Sequence, residues 1–168
     1  MRATERKGEQ NMVEIQDTNI TFKSVYDSPY TPQDEAIKEA DCLIIPYENI
    51  RPNVEYSYSE YAEELLEYIR EKQEIIIDIA ATDDVYEPLE MHSMLLELGK
   101  FLVMDTSFSI LLNLVSSFIY DKLKQFHTKD AEVHVEYIVQ KTDGSSKSIN
   151  YTGPASEFDT IRESVQEL

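Results

Sequence analysis

Short apolar runs alternate with helical hydrophobic patterns along most of the chain. Cys42 to Ile45 is typical of a strand covered on both faces, Glu74 to Ile79 predicts a central strand, and Phe101 to Met104 predicts a further short strand. Between these runs the apolar residues recur every three to four positions, which is the period of a helix. This order predicts strand–helix units joined by right-handed crossovers, and therefore a mostly parallel sheet.

Capping signals and local alternation predict the other elements of the first hundred residues. Ile20 to Tyr26 alternates like a half-exposed strand, and Thr31 with Pro32 opens a short helix. Pro46 to Tyr56 is predicted to be a loop. Ser57 to Glu60 has the spacing of a capping box, and the helix beyond it buries a stripe of Tyr61, Leu65, Tyr68 and Ile69. Another helix is predicted from Pro88 to Leu98, with Gly99 as its cap.

The C-terminal third combines a long helix with a β-hairpin. Thr106 or Ser107 caps a helix that reaches about Phe126, and Ala131 to Gln140 alternates apolar and polar residues before a turn and a second strand, Lys147 to Tyr151. Gly153 and Pro154 break the chain before a terminal helix. The predicted fold is a three-layer α/β sandwich with a mostly parallel sheet of short strands, a C-terminal antiparallel β-hairpin and a terminal helix.

The predicted domain organisation is simple. Residues 1–11 are polar and mildly basic without an apolar segment, so we expect a disordered N-terminal arm rather than a signal or an anchor. Residues 12–168 are expected to form one α/β domain. Asp105 interrupts the apolar stretch from Phe101 to Tyr120, which leaves it too short to span a bilayer.

The charge of the chain restricts its partners. Thirty-three acidic and fifteen basic side chains give a formal net charge of −18. Such a charge opposes the binding of nucleic-acid phosphates or anionic lipid, so we expect neither direct nucleic-acid binding nor membrane binding. Cys42 is the only cysteine, which excludes an internal disulfide and indicates a soluble protein of the reducing cytoplasm with an inert core thiol.

The familiar catalytic and cofactor motifs are missing. None of the four glycines opens a helix in a phosphate-binding pattern, and no nucleophile elbow, HExxH helix or calcium loop occurs. The sequence therefore assigns no catalytic residue, no cofactor and no metal. It favours a non-catalytic protein over an enzyme.

The strongest surface signal is a row of glutamates on the predicted second helix. We call this row the acidic stripe; it comprises Glu60, Glu63, Glu64, Glu67 and Glu71. Tyr56 and Tyr58 precede it, and tyrosine is enriched at protein interfaces. We therefore expect an acidic interaction or regulatory protein that binds a protein partner with a basic surface. A merely solvated helix face is the simpler interpretation of the stripe.

Two other functions fit the composition. Ligands of parallel sheets bind beyond the carboxyl ends of the strands, where the chain carries Asp27, Glu48, Arg51, Asp83, Asp84 and Asp105. These loops make a small-ligand-binding or metal-assisted enzyme the first alternative, although such residues are also ordinary in loops and caps. A nucleic-acid-mimicking inhibitor is the second alternative, because of the acidity.

Three local patterns carry weaker functional signals. His92 beside Glu90 resembles a base with its carboxylate, but a half-buried structural histidine fits the helix pattern better. Glu132, His134 and Glu136 share one strand face like metal ligands, but an exposed hairpin face explains them better. A homo-oligomer contact is possible along the small polar strip of the long helix, Ser109, Asn113, Ser116, Ser117 and Tyr120.

Overall fold

The fold is given by a computed structural model that describes residues 12–89 and 95–165. The strands are β1 (Val13–Thr18), β2 (Cys42–Ile45), β3 (Tyr47–Arg51), β4 (Val54–Ser59), β5 (Ile77–Ile79), β6 (Pro88–Leu89), β7 (Leu95–Met104), β8 (Glu132–Gln140) and β9 (Ser146–Pro154). The helices are α1 (Phe22–Tyr26), α2 (Glu35–Glu39), α3 (Ala62–Lys72), α4 (Phe108–Gln125) and α5 (Thr160–Val165). Within these ranges no helix has the length and apolarity needed to cross a bilayer.

The main sheet has six strands in the order β1-β9-β8-β7-β2-β5. Only the pairs β7–β8 and β2–β5 are parallel, while β1–β9, β8–β9 and β2–β7 are antiparallel. The mixed α/β class is confirmed, but the prediction of a mostly parallel sheet is wrong. The physical reason lies before β7, where both described ends of the predicted helix, Pro88–Leu89 and residues 95–98, are strand, and residues 90–94 lie outside the described residues. Strand β7 therefore enters the sheet at the same end at which β5 leaves it.

A second sheet of three strands has the order β3-β4-β6 and replaces the loop predicted from Pro46 to Tyr56. Strands β3 and β4 form an antiparallel hairpin in which Tyr47 pairs with Ser57. Asn53 has a positive φ of 67° at the turn, a conformation that asparagine tolerates. The hairpin is what places Tyr47 over the main sheet.

Buried side chains lie on both faces of the main sheet. Cys42 and Ile44 of β2 join the larger cluster, with residues of α3, α4 and α5. Leu43 and Ile45 point the opposite way, into a smaller cluster with residues of α1 and α2. All four are buried, which confirms the prediction of a strand covered on both faces. Strand β5 is different: it lies at the edge of the sheet, so its predicted central position is wrong.

The N-terminal segment differs from its prediction. Val13–Thr18 forms the edge strand β1, and the expected strand from Ile20 to Tyr26 is the short helix α1. Thr21 and Ser24 form a capping box, and Phe22 and Val25 are buried three residues apart. The segment is too short for its periodicity to separate strand from helix. The predicted arm, Met1 to Asn11, lies outside the described residues.

Two further caps differ from their predictions. Helix α2 begins after Asp34, whose side chain accepts the backbone N–H of Ile37, and not at Thr31. Helix α3 begins at Ala62, because Ser57 to Ser59 belong to β4. The Ser59 hydroxyl accepts the backbone N–H of Tyr61 and donates to the backbone carbonyl of Glu97, so it joins the two sheets.

The helical stripes and the C-terminal elements agree with the sequence. Leu65 and Ile69 are buried in α3, with Tyr61 and Tyr68 partly buried against the same cluster. Strands β8 and β9 form the predicted hairpin, although β9 continues through Gly153 and Pro154. The terminal helix α5 is present. In the long helix α4 the buried side chains include all those expected, Phe108, Leu111, Leu112, Val115, Phe118 and Ile119.

Candidate functional site

A cleft opens between strand β3 and the face of the main sheet that β7, β8 and β9 present to it. Its volume is about 590 Å³, which is in the range of small-molecule sites. We call it the β3 cleft. It is lined by Tyr47, Ile50, Arg51, Leu89, Glu97, His134, Glu136 and Asn150.

The floor of the β3 cleft is a hydrogen-bonded network centred on His134. Imidazole Nδ1 lies 2.9 and 2.7 Å from the two carboxylate oxygens of Glu97. Nε2 lies 2.9 Å from Oδ1 of Asn150. The hydroxyl of Tyr47 donates to the same Glu97 carboxylate, and its ring stacks over His134. Four strands therefore contribute one side chain each to a single polar cluster.

A β-bulge explains why Glu97 faces the cleft. Leu98 and Phe101 are both buried in the larger core cluster, although they are three residues apart in a strand of period two. The irregularity falls between Glu97 and Gly99, and Gly99 has a φ of +107° that side chains rarely adopt. The extra residue keeps the core register and leaves Glu97 on the opposite face.

The network favours a charged histidine. The hydrogen bond to Glu97 raises the pKa of His134, burial opposes this, and the charge of Glu97 and the contacts with Asn150 and Glu136 raise the pKa further. Burial, and then the charge of Glu97, raise the pKa of Tyr47 far above its ordinary value. Tyr47 therefore remains a neutral donor to Glu97.

The remaining polar groups of the cleft are less completely paired. Ser148 donates to one oxygen of Glu136 at 2.7 Å, and the other oxygen has no hydrogen bond within the described ranges. The Nη2 atom of Arg51 lies 3.9 Å from a Glu87 oxygen. Its Nε atom is buried with no partner among the same residues. Glu136 and Arg51 are thus the charged groups with capacity for a ligand.

The predicted ligand loops do not form one site. Strand β7 runs antiparallel to β2. Asp105, which follows β7, therefore lies at the end of the sheet opposite to the carboxyl ends of β2 and β5. The carboxyl-end rule fails here because it needs parallel strands. Asp27 pairs with the lysine one turn earlier in α1. Of the six residues Asp27, Glu48, Arg51, Asp83, Asp84 and Asp105, only Arg51 lines the β3 cleft.

Two members of the strand triple of Glu132, His134 and Glu136 are bonded to other residues. His134 is bonded to Glu97 and Asn150, and Glu136 accepts from Ser148. Among the residues that the structure describes, no three His, Cys, Asp or Glu side chains are arranged to hold a metal ion. This face of β8 is only partly exposed to solvent, because the ring of Tyr47 stacks over His134. His92 lies outside the described residues.

The acidic stripe is exposed, with Glu60 in the turn before α3 and the other four glutamates on the helix, and one of its members is paired. Glu64 forms an ion pair with Lys122 of α4, whose side chain is only 9% exposed and lies over the rings of Tyr61 and Phe118. Within residues 12–89 and 95–165 the other four, Glu60, Glu63, Glu67 and Glu71, have no ion-pair partner.

The two tyrosines assigned to the same surface are not equally available. Tyr58 is 1% exposed and donates its hydroxyl to the Ala80 carbonyl at 2.7 Å, so it cannot meet a partner on the folded protein. It is buried because its strand carries it into the core. Tyr56 is partly buried and packs edge-on against Tyr30. On the strip of α4, Asn113 accepts a hydrogen bond from Arg162 of α5.

Sequence reasoning missed Glu97 and Asn150. The alternation Leu96-Glu97-Leu98 has the period of a strand with one polar face, which is the signal that could have found Glu97. Comparison of the chain with protein-family models, with curated proteins and with solved structures finds no match.

Proposed function

We propose that this protein is a non-catalytic binding protein whose small-ligand site is the β3 cleft. The observation that carries the proposal is the Glu97–His134 pair at the floor of an open depression. Burying an ionisable pair costs desolvation energy, and apolar residues of similar size often give equal or better stability. Ionisable groups with perturbed titration in a cleft are therefore a mark of a functional site.

Binding fits this geometry better than proton transfer does. A general base needs a lone pair directed at its substrate. Here both imidazole nitrogens of His134 face protein atoms, and the Glu97 carboxylate already accepts from His134 and Tyr47. The cleft combines this paired floor with the apolar side chains of Ile50 and Leu89, which suits the recognition of a small amphiphilic molecule.

The test uses the full chain and three fragments of one shape: benzylamine, benzoate and benzyl alcohol. We expect at least one of them to shift the NMR signals of His134 and Asn150. Ile50 is 50% exposed at the cleft, so Ile50→Ala should weaken that binding without unfolding the protein. Ile76→Ala is the matched control, because Ile76 is 56% exposed and does not line the cleft.

The proposal fails if no fragment of any charge shifts these signals. It also fails if Ile50→Ala and Ile76→Ala both bind the fragments with the same affinity as the wild type.

A second candidate function is the docking of a protein partner with a basic surface on the acidic stripe. Four stripe glutamates carry no ion pair within the described part of the chain, and Leu65 and Ile69 anchor the helix beneath them. Exposed charges of one sign accelerate association with an oppositely charged surface and are screened by salt. The proposed association is therefore fast at low ionic strength.

Charge reversal tests this second candidate. Replacing Glu60, Glu63, Glu67 and Glu71 by lysine leaves the Glu64–Lys122 pair intact. Lysine at Glu39, Glu48, Asp83 and Asp84, four exposed acids away from α3, makes the same change in net charge and is the control. We expect the wild type and the control variant to capture the same proteins from cell extract, and the stripe variant to capture none of them. If all three proteins capture the same set, the stripe is a solvated face.

A further inference from the structure

We propose that the β3 cleft binds a small organic cation, a primary amine attached to an apolar group, and that binding is coupled to release of one proton from His134. This inference rests on the proposed binding function of the cleft and adds the chemical class of its ligand. It assigns the ammonium to Glu136 and the apolar group to Ile50 and Leu89.

The charges of the cleft select the sign of the ligand. Glu97 and Glu136 supply two carboxylates, against the single guanidinium of Arg51, whose Nη2 atom lies 3.9 Å from a Glu87 oxygen. The net charge of −18 adds a field that concentrates cations and repels anions at such a depression. The carboxylates and the surrounding field thus act in the same direction.

Glu136 is the carboxylate with room for an ammonium group. Both oxygens of Glu97 are taken up by His134 and Tyr47, and Glu97 is 8% exposed. One oxygen of Glu136 accepts from Ser148, while the other is unbonded in the described structure. A charged donor that binds this oxygen gains a strong hydrogen bond without displacing a protein partner.

The apolar wall of the cleft requires an apolar body on the ligand. Ile50 is half exposed beside the buried Leu89, and both line the cleft. Covering this surface removes apolar area from water, which an inorganic cation cannot do. The combination of one free carboxylate oxygen with an apolar wall favours an organic amine over a metal ion.

His134 couples this binding to pH. It faces Glu97 of β7, Glu136 of β8, Asn150 of β9 and Tyr47 of β3, with Arg51 also lining the cleft. Its pKa is raised, chiefly by the hydrogen bond to Glu97, so the imidazolium form extends toward neutral pH. That positive charge repels a ligand ammonium held at Glu136.

Loss of the proton changes the cleft in two ways. In the imidazolium, Nδ1–H donates to Glu97 and Nε2–H donates to Oδ1 of Asn150. When the Nε2 proton leaves to solvent, Nε2 becomes an acceptor, and the Asn150 amide turns so that its NH₂ group donates to it. Oδ1 of Asn150 is then free to accept from the ammonium. Deprotonation therefore removes a repulsive charge and supplies a second acceptor.

The first test compares benzylamine with benzoate on the full chain, by calorimetry at equal ionic strength. We expect benzylamine to bind at least about tenfold more tightly than benzoate near neutral pH, because the cleft and the field favour cations. Benzylamine affinity should rise between about pH 6 and about pH 8, up to one proton being released per amine bound. By reciprocity, saturating benzylamine should lower the His134 pKa measured by NMR.

Two variants divide the inference into its parts. Glu136→Gln keeps an acceptor for Ser148 and should weaken benzylamine binding about tenfold, whereas Glu132→Gln, on the same face but outside the cleft, should not. His134→Gln should remove the pH dependence of benzylamine affinity. Should this variant not fold, the His134 titration of the wild type with and without benzylamine decides the coupling.

Three results would overturn the inference. They are tighter binding of benzoate than of benzylamine, equal benzylamine affinity of Glu136→Gln and the wild type, and a His134 pKa that benzylamine does not lower. If benzoate or benzyl alcohol binds in the cleft and benzylamine does not, the inference is overturned but the proposed binding function stands. Absence of binding by all three fragments would overturn both.

Discussion

The imidazole Nδ1 of His134 lies 2.7 Å from a carboxylate oxygen of Glu97, across the parallel pair of β8 and β7. The two residues are direct partners in the strand register, which holds the contact rigidly. Tyr47 closes it from the second sheet by donating to the same carboxylate. This contact is common to the floor of the β3 cleft and to the link between the two sheets.

His134 should titrate above the ordinary histidine value of about 6.5. Because its pKa is higher in the folded than in the unfolded protein, its contribution to stability is present below the unfolded value and is lost as pH rises through the folded value. NMR titration measures the pKa, and Glu97→Gln should lower it. A pKa at or below the ordinary value in the wild type would contradict the geometry.

Tyr47→Phe should lower the free energy of unfolding by about 1–3 kcal/mol, because it removes a buried donor to a charged acceptor. Denaturant unfolding measures the loss. Tyr120→Phe is the matched control, since Tyr120 is 63% exposed and its hydroxyl has no hydrogen bond in the described ranges. Equal stability of the two variants would show that the Tyr47 hydroxyl contributes nothing.

Gly99→Ala should destabilise the protein by about 1–3 kcal/mol through backbone strain. The new Cβ would also lie 3.2 Å from Cβ of Ser59. Gly144→Ala shares the positive φ but meets nothing within 4 Å, so the difference between the variants reports the contact with Ser59. Since the bulge positions Glu97, Gly99→Ala should also move the His134 pKa toward its ordinary value. An unchanged His134 titration would refute that role.

Glu64→Gln should cost more stability than Glu63→Gln, although both residues belong to the acidic stripe. Glu64 neutralises Lys122, which is almost buried, whereas Glu63 has no ion pair in the described structure. We expect a loss of about 1–3 kcal/mol for Glu64→Gln, and less than about 0.5 kcal/mol for Glu63→Gln. Thermal or denaturant unfolding compares them. Equal effects would mean that Lys122 does not depend on Glu64.

Cys42 should resist thiol reagents in the folded protein. It is fully buried, and burial, with a smaller contribution from Asp41, raises the pKa of its thiol. Alkylation by iodoacetamide should therefore require opening of the fold. Reductant should leave the melting temperature unchanged. Rapid labelling under native conditions would show that the strand opens locally.

Local sequence patterns predicted correctly those elements whose own hydrophobic periodicity shows which side chains are buried. The buried side of α4, the apolar strand β2 and the hairpin of β8 and β9 are each encoded by a long or strict periodicity. Short segments were misassigned: Phe22 to Tyr26 and Leu95 to Leu98 contain too few residues for a period of two to be separated from one of 3.6. The bulge at Gly99 obscured the second of these further, because it shifts the alternation by one residue.

The sequence by itself determined that this chain is acidic, lacks an internal disulfide and combines strands with helices. Only the tertiary structure decided that β7 runs antiparallel to β2, which separates the loops expected to converge on one site. It also decided that Tyr47, Glu97, His134 and Asn150 meet. Glu97 and His134 are 37 positions apart, and Tyr47 is 50 from Glu97. Such contacts depend on strand order and register, which arise from packing of the whole chain rather than from any local pattern.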